Sequence, residues 1–318
     1  MYYSIRHLTR FRYSAPITES VMEVRVQPRS EGSQRCLSFG LTVDPSARIM
    51  VYRDYLGNTV HHFDIPRNHS ELTLTAGALV EVRAPVDLPE RLDPDAWSRI
   101  DALVDEGDYW EMLMPSQFAR SSDLLRGLAT RLAVERRGDP LSLLRELTTA
   151  IHQTFAYVPH STRVDSPIDD ALRKGEGVCQ DFAHIMIAMV RDLRIPCRYI
   201  SGYVSHLPIH SDPVSPDATH AWTEALLPGL GWIGFDPTMD VIAGERHIRA
   251  AIGRDYADVP PTRGVFKGIA DSDLAVAVRV IAGDEPLPDE DLLAGVHLLP
   301  VVHRAPRAAE LYEQQQQQ

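Results

Sequence analysis

In the stretch "GEGVCQDFAH", residues 175–184, two glycines and a valine lead to a cysteine that opens an apolar run. A cysteine in that position is either a small buried hydrophobe or a nucleophile. If Cys179 lies in the first turn of a helix, unpaired backbone N–H groups and the positive end of the helix dipole surround its sulfur, and both favour the thiolate. Gly177 would let the chain turn sharply and let a substrate carbonyl approach the backbone, where the Cys179 N–H could donate to an oxyanion. A nucleophilic thiol needs a base, and the base needs a group to orient it. "THAWTEALL" supplies His220 and "GWIGFDPT" supplies Asp236. Nucleophile, base and orienting carboxylate are the parts of an acyl-transfer centre.

Those three side chains meet only if the elements carrying them pack correctly. Apolar residues at 179, 182, 183, 186, 187, 190 and 193 repeat near a 3.6 period and predict a helix over 179–194, ended by Pro196. "CRYISGYV", "HAWTEALLP" and "GWIGFDPT" follow as three short strands, with "PGLG" as the turn between the last two. His220 and Asp236 are equidistant from Pro228, so a register centred there makes them cross-strand neighbours. A helix followed by an antiparallel sheet is an α+β arrangement.

Upstream, "DLLRGLATRLAVERR" and "DPLSLLRELTTAIHQTF" carry leucines at helical spacing. From Met1 to Arg83 the pattern alternates in short runs that read as strands, with Gly57-Asn58 as a hairpin turn. The Pro- and Asp-rich "RAPVDLPERLDPDAW" breaks that alternation. The expected organisation is a small β domain over 1–85, a linker over 86–100, a core with a helical lead-in over 101–283, and an extension over 284–318. "DLAVAVRVIAG" closes the core as one more strand, and the tail "EQQQQQ" is low-complexity.

Composition excludes several functions. The 318 residues are 44% hydrophobic and 24% charged, near globular averages, and no apolar run approaches the roughly 18 residues of a membrane span. A net charge of −12 works against general affinity for phosphate backbones or anionic lipid. Three cysteines, Cys36, Cys179 and Cys197, are too few for a disulfide framework and suit a reducing compartment. "MYYSIRHLTRFRY" has no apolar stretch behind its basic residues, so the expected location is cytoplasmic, without nucleic acid or membrane as partner.

"FAYVPHSTRV", "GEGVCQDFAH" and "HAWTEALLPGLGWIGFDPT", in that order, closely resemble the bacterial transglutaminase-like family of the papain-like superfamily. The resemblance runs from Met1, whose β segment is similar to the amino-terminal domain common in these proteins, through "IGRDYADVPPTRGVFKG" to about Gly268. It implies a papain-like core with Cys179 as nucleophile, His220 as general base and Asp236 orienting the imidazole. The substrate would be a peptide or protein carrying a peptide or isopeptide amide, the intermediate a thioester, and neither metal nor other cofactor would be required. Hydrolysis asks for fewer special features than aminolysis and is the expected outcome. Transglutamination, joining glutamine side chains to amines, is the alternative, and a peptide-binding module without turnover is a third reading.

Around the three, Tyr157 is a candidate hydrogen-bond donor into the site, Gln180 an open candidate, and Trp222 either a wall of the site or core packing. Asp181 suits the first helical turn through the dipole alone. His184, five residues after Cys179, points elsewhere. His206, His210 and His220 with Cys179 invite a metal reading, which their spacing does not support. The long Pro-, Ser- and Asp-rich loop over 205–218 is expected to border the substrate groove. The terminal Gln314–Gln318 would be an acyl donor for self-modification only if it is more than a disordered tail.

Overall fold

A computed structural model describes residues 1–84, 87–205 and 219–283. The chain opens with β1 (Tyr2–Ile17), β2 (Glu19–Val24), β3 (Gln34–Asp44), β4 (Met50–Arg53), β5 (Thr59–Ile65) and β6 (His69–Val82). Helices α1 (Ala96–Asp105), α2 (Asp123–Arg131) and α3 (Pro140–Thr154) lead to β7 (Ala156–Tyr157), α4 (Ile168–Lys174), β8 (Glu176–Gly177) and α5 (Cys179–Asp192). After these come β9 (Cys197–Val204), β10 (His220–Leu227), β11 (Gly231–Asp236), β12 (Val241–Ile242), β13 (His247–Gly253), β14 (Thr262–Lys267) and β15 (Ser272–Ala282). The fold is α+β, and most of its strand pairs are antiparallel.

The amino-terminal unit holds two four-stranded sheets, ordered β15-β1-β6-β3 and β14-β2-β5-β4. The last two strands therefore return to it, whereas the sequence pattern assigns everything from 101 through 283 to the core. β15 pairs with β1 from Tyr3↔Ala282 to Tyr13↔Ser272, and β14 pairs with β2. Alternation in "DLAVAVRVIA" specifies a strand but carries no information about its partner. The expected linker is likewise fastened down. Leu92 N–H donates to Asp139, Arg145 reaches the carbonyls of Pro89 and Glu90, and α1 begins at Ala96.

The core sheet runs β12-β11-β10-β9-β13. Against it lies α5, whose residues from Gln180 to Arg191 are all buried, so it is covered on every side rather than along one stripe. Phe182, Ile185, Ile187 and Val190 join Leu141, Leu144, Leu147 and Ile151 of α3 and Ala221 and Ala225 of β10 in one cluster. Truncating Ile187 to alanine in such a cluster costs about 2–5 kcal/mol. The polar members of α5 survive burial because each is bonded. Arg191, for example, donates to the carbonyls of Met112, Met114, Cys197 and Arg254. The helix ends before Pro196, with Arg194 turning the chain at φ 59°.

The outer edge of β13 would be an open row of backbone donors and acceptors. Two side-chain amides of the amino-terminal unit close it. Gln34 accepts from Arg249 N–H and donates to Arg249 C=O, each at 2.8 Å. Asn58 does the same for Ile252, again at 2.8 Å. The hairpin expected at Gly57-Asn58 joins β4 to β5 through a five-residue loop, 54–58, held by the Asp54 carboxylate and Gly57 at φ 75°. Asn58 closes that loop and docks the unit as well. Among the described residues no helix is long and apolar enough to cross a membrane.

Candidate active site

Gly175 ends α4 in the left-handed region, φ 71°, and releases the chain into β8. β8 runs parallel to β7, and Val158 N–H donates to Gly177 C=O at 3.0 Å. Gly177 itself is not at positive φ. A Cβ there would come within 2.9 Å of the Asp181 carboxylate, so the glycine makes room for that side chain. Asp181 accepts from Val178 N–H at 2.9 Å and from the Thr162 hydroxyl, capping the helix from within its first turn. Gln180 donates to Val164 C=O at 2.8 Å. The loop preceding α4 is therefore tied to the start of α5, and half-buried Cys179 stands at that start.

The register of β10 and β11 differs from the expected one. Thr223 faces Phe235 and Leu227 faces Gly231, so the pairing centres on Gly229 instead of Pro228. The cause is a β-turn over Leu227–Leu230 with Gly229 at its third position, φ 78°, as a type II turn requires. Asp236 consequently lies diagonal to His220 on the same face, one pair along. The carboxylate spans that diagonal, with Nε2 of His220 and Oδ2 of Asp236 2.6 Å apart. The other face of β10 meets α5, where the Thr223 hydroxyl donates to Ala183 C=O at 3.3 Å.

Asp236 is fully buried yet saturated with donors. Its Oδ1 accepts from Thr238 N–H at 2.9 Å and Met239 N–H at 3.2 Å, and its Oδ2 also meets His247 Nε2 at 3.1 Å. Burial pushes its pKa up, but His220 and the hydrogen bonds of both imidazoles overcome this and hold it well below the carboxylate range. For His220, burial opposes the charged ring, while the Asp236 carboxylate and the nearby Cys179 outweigh it and lift the pKa to about 10. The second ring nitrogen, Nδ1, is buried and has no hydrogen-bond partner. With Nε2 committed to Asp236, Nδ1 is the atom available to the Cys179 thiol.

Trp222 is both a core residue and a neighbour of the His220 ring. It is fully buried and packs with Ile200 and Ile252, and its ring lies beside the His220 ring at 6.0 Å and 25°. Gly202 is required beneath it, since a Cβ there would lie 2.7 Å from the indole. Tyr157 on β7 packs against the main core cluster. His184 is a core histidine that accepts from Tyr256 N–H and stacks on Phe118; burial lowers its pKa to about 3. His206, His210, the Gln tail and all of the 205–218 loop except Ser205 lie outside the described residues.

Sequence reasoning missed His247. It sits alone in "GERHIRAAIG", eleven residues past Asp236, and only recognition of that run as a strand beside β9 could have found it. His220, Asp236 and His247 present three ligand-type atoms to one another. The 2.6 Å separation of Nε2 and Oδ2 is a hydrogen bond; two ligands of one tetrahedral zinc, each about 2.0–2.1 Å from it, stand roughly 3.3 Å apart.

A family model described as the transglutaminase-like superfamily matches residues 127–237, which include Cys179, His220 and Asp236. A second, the bacterial transglutaminase-like N-terminal region, matches residues 3–81. An uncharacterised protein of Mycobacterium leprae is 32% identical over 281 residues, 86% of this chain and 96% of its own. The chain belongs to the transglutaminase-like superfamily. Among solved transglutaminase-like folds, a protein from Cytophaga hutchinsonii described provisionally as a cysteine protease superposes with a TM-score of 0.70, at 25% identity, covering 92% of this chain and 96% of that one. A protein-glutamine gamma-glutamyltransferase of Pseudomonas aeruginosa is 29% identical over 160 residues, 45% of this chain but 23% of that enzyme.

Proposed function

We propose that this transglutaminase-like protein is a cysteine-dependent acyl-transfer enzyme that hydrolyses a peptide or isopeptide amide. The observation that carries the reading is the polarity of His220: Nε2 is held by Asp236 at 2.6 Å, and buried Nδ1 is left for Cys179. Nδ1 takes the proton from Sγ, and the thiolate attacks the amide carbonyl. The helix N-terminus supplies backbone N–H donors to the oxyanion. As the tetrahedral intermediate collapses, Nδ1–H passes its proton to the leaving amine, and the acyl group remains on Sγ as a thioester. A water that gives its proton to Nδ1 then attacks the thioester, releasing the acid and restoring the thiol. Asp236 stays ionised throughout and holds the imidazolium in place.

Transfer to an amine in place of water is the second reading, favoured by the partial likeness to the glutamyltransferase of Pseudomonas aeruginosa. The two part only at the last step. Incubation with glutamine-containing and isopeptide-linked peptides, with and without a primary amine, separates them. Cleavage or deamidation without amine incorporation, lost in Cys179→Ala, is expected. Amine incorporation with ammonia release would make the protein a transglutaminase. Products that persist in Cys179→Ala would overturn both. The three free cysteines fit action in a reducing compartment on peptide or protein substrates.

A further inference from the structure

Asp236 Oδ2 has two imidazoles, and the proposed reaction uses only one. His247 opens β13 opposite Val204, two residues from Gly202, which faces His220 across β9. The register thus sets His247 and His220 on one face of the sheet, with ring centroids 6.3 Å apart. Trp222 stands edge-on to His247 at 5.1 Å and 74°, so the indole touches both rings.

The protonation state of His247 follows from its neighbours. Its Nδ1 lies 3.2 Å from Gly244 N–H, and a backbone N–H only donates. Nδ1 therefore carries the lone pair, and in the neutral ring Nε2 carries the hydrogen, which donates to Asp236 Oδ2 at 3.1 Å. The backbone of one turn sets the tautomer of a ring whose other nitrogen reaches the carboxylate behind the base. Four donors then surround Asp236: Thr238 N–H and Met239 N–H on Oδ1, His220 and His247 on Oδ2. The two backbone donors fix one oxygen. Without His247 the other could swing in the carboxylate plane and lead His220 away from Cys179.

We infer that His247 is a positioning residue of the acyl-transfer centre: its Nε2–H holds Asp236 Oδ2 where His220 Nε2 meets it and His220 Nδ1 faces Cys179. The inference rests on the proposed role of Cys179, and the test separates the two. The reporter is the pH dependence of Cys179 alkylation by iodoacetamide, read by peptide mass, which needs no substrate. The wild-type thiol should react far faster than Cys36 near neutral pH; equal rates would sink the functional reading itself.

Given a fast wild type, His247→Phe should slow alkylation at pH 7 by about tenfold or more, as expected for loss of a hydrogen bond to a charged group. The acid limb of the profile should move to higher pH. His247→Gln, which keeps an N–H donor, should recover much of the rate, and this rescue does not depend on the Phe variant folding. In a double-mutant cycle, His247→Phe should add little to Asp236→Asn, because it acts only through that carboxylate. A wild-type profile in His247→Phe, no recovery in His247→Gln, or full additivity with Asp236→Asn would each overturn the inference.

Discussion

Two carboxylates lie fully buried on the same face of the core sheet, and they have opposite characters. Glu224, in the middle of β10, is held by the guanidinium groups of Arg198 and Arg249. Asp236, at the end of β11, is held by two imidazoles and two backbone N–H groups. Both are satisfied, as burial of a charge demands. Guanidinium is protonated at every physiological pH, so the Glu224 cluster cannot pass a proton and can only join strands. Its Arg198 also stacks over Trp232 at 4.2 Å. Imidazole, unlike guanidinium, can give up and regain a proton, and His220 keeps a second nitrogen for that exchange. The partner, more than the depth of burial, decides whether a buried carboxylate can support proton transfer.

The comparison breaks most visibly at the thiol. Cys179→Ala should lower turnover by at least about a thousandfold while leaving the urea unfolding midpoint near wild type. Asp236→Asn keeps the shape but offers the base an amide; turnover near neutral pH should fall by about a thousand- to ten-thousandfold, as the wrong imidazole tautomer is favoured. Glu224→Gln should do the reverse. Urea titration should show a loss of about 3–5 kcal/mol, since two guanidinium groups lose their counter-charge, with turnover of the remaining folded protein close to normal. If Glu224→Gln silenced the enzyme without unfolding it, the division between the two carboxylates would be wrong.

A third buried cluster sharpens the point. His7 has no carboxylate: its Nδ1–H donates to the Tyr203 hydroxyl at 3.1 Å, which in turn donates to Val26 C=O, while Thr9 donates to Nε2. Burial alone then lowers its pKa from 6.5 to about 4, opposite to His220. The unfolded chain binds a proton there before the folded one does. Stability is complete above the unfolded value of 6.5 and is lost as pH falls through the folded value of about 4. His7 accounts for about 3 kcal/mol of that loss. Urea midpoints measured across this range should decline, and His7→Gln should flatten the decline.

Much of this arrangement is legible in the sequence. Cys179 at a helix start, His220 and Asp236 on consecutive strands, and the break at Pro196 are local patterns, and local patterns are what a single sequence records. What was hidden is non-local or hinges on one turn. The register of β10 against β11 moved by one pair because Gly229, not Pro228, holds the centre of the turn. The partners of β14 and β15 lie at the other end of the chain. His247 is remote from every motif and becomes meaningful only when β13 lies beside β9. Asn58 reads as a turn residue, and only the docked units show it closing a sheet edge.

The central claim is that an acyl group passes through Sγ of Cys179. Acid-quenching the enzyme during steady turnover of a peptide amide and weighing its proteolytic fragments tests it directly. The account predicts an adduct of the acyl mass on the Cys179 fragment, removed by hydroxylamine and absent from Cys179→Ala. Turnover with the Cys179 fragment unmodified at every time point, or an adduct on Cys36 or Cys197 instead, would contradict it.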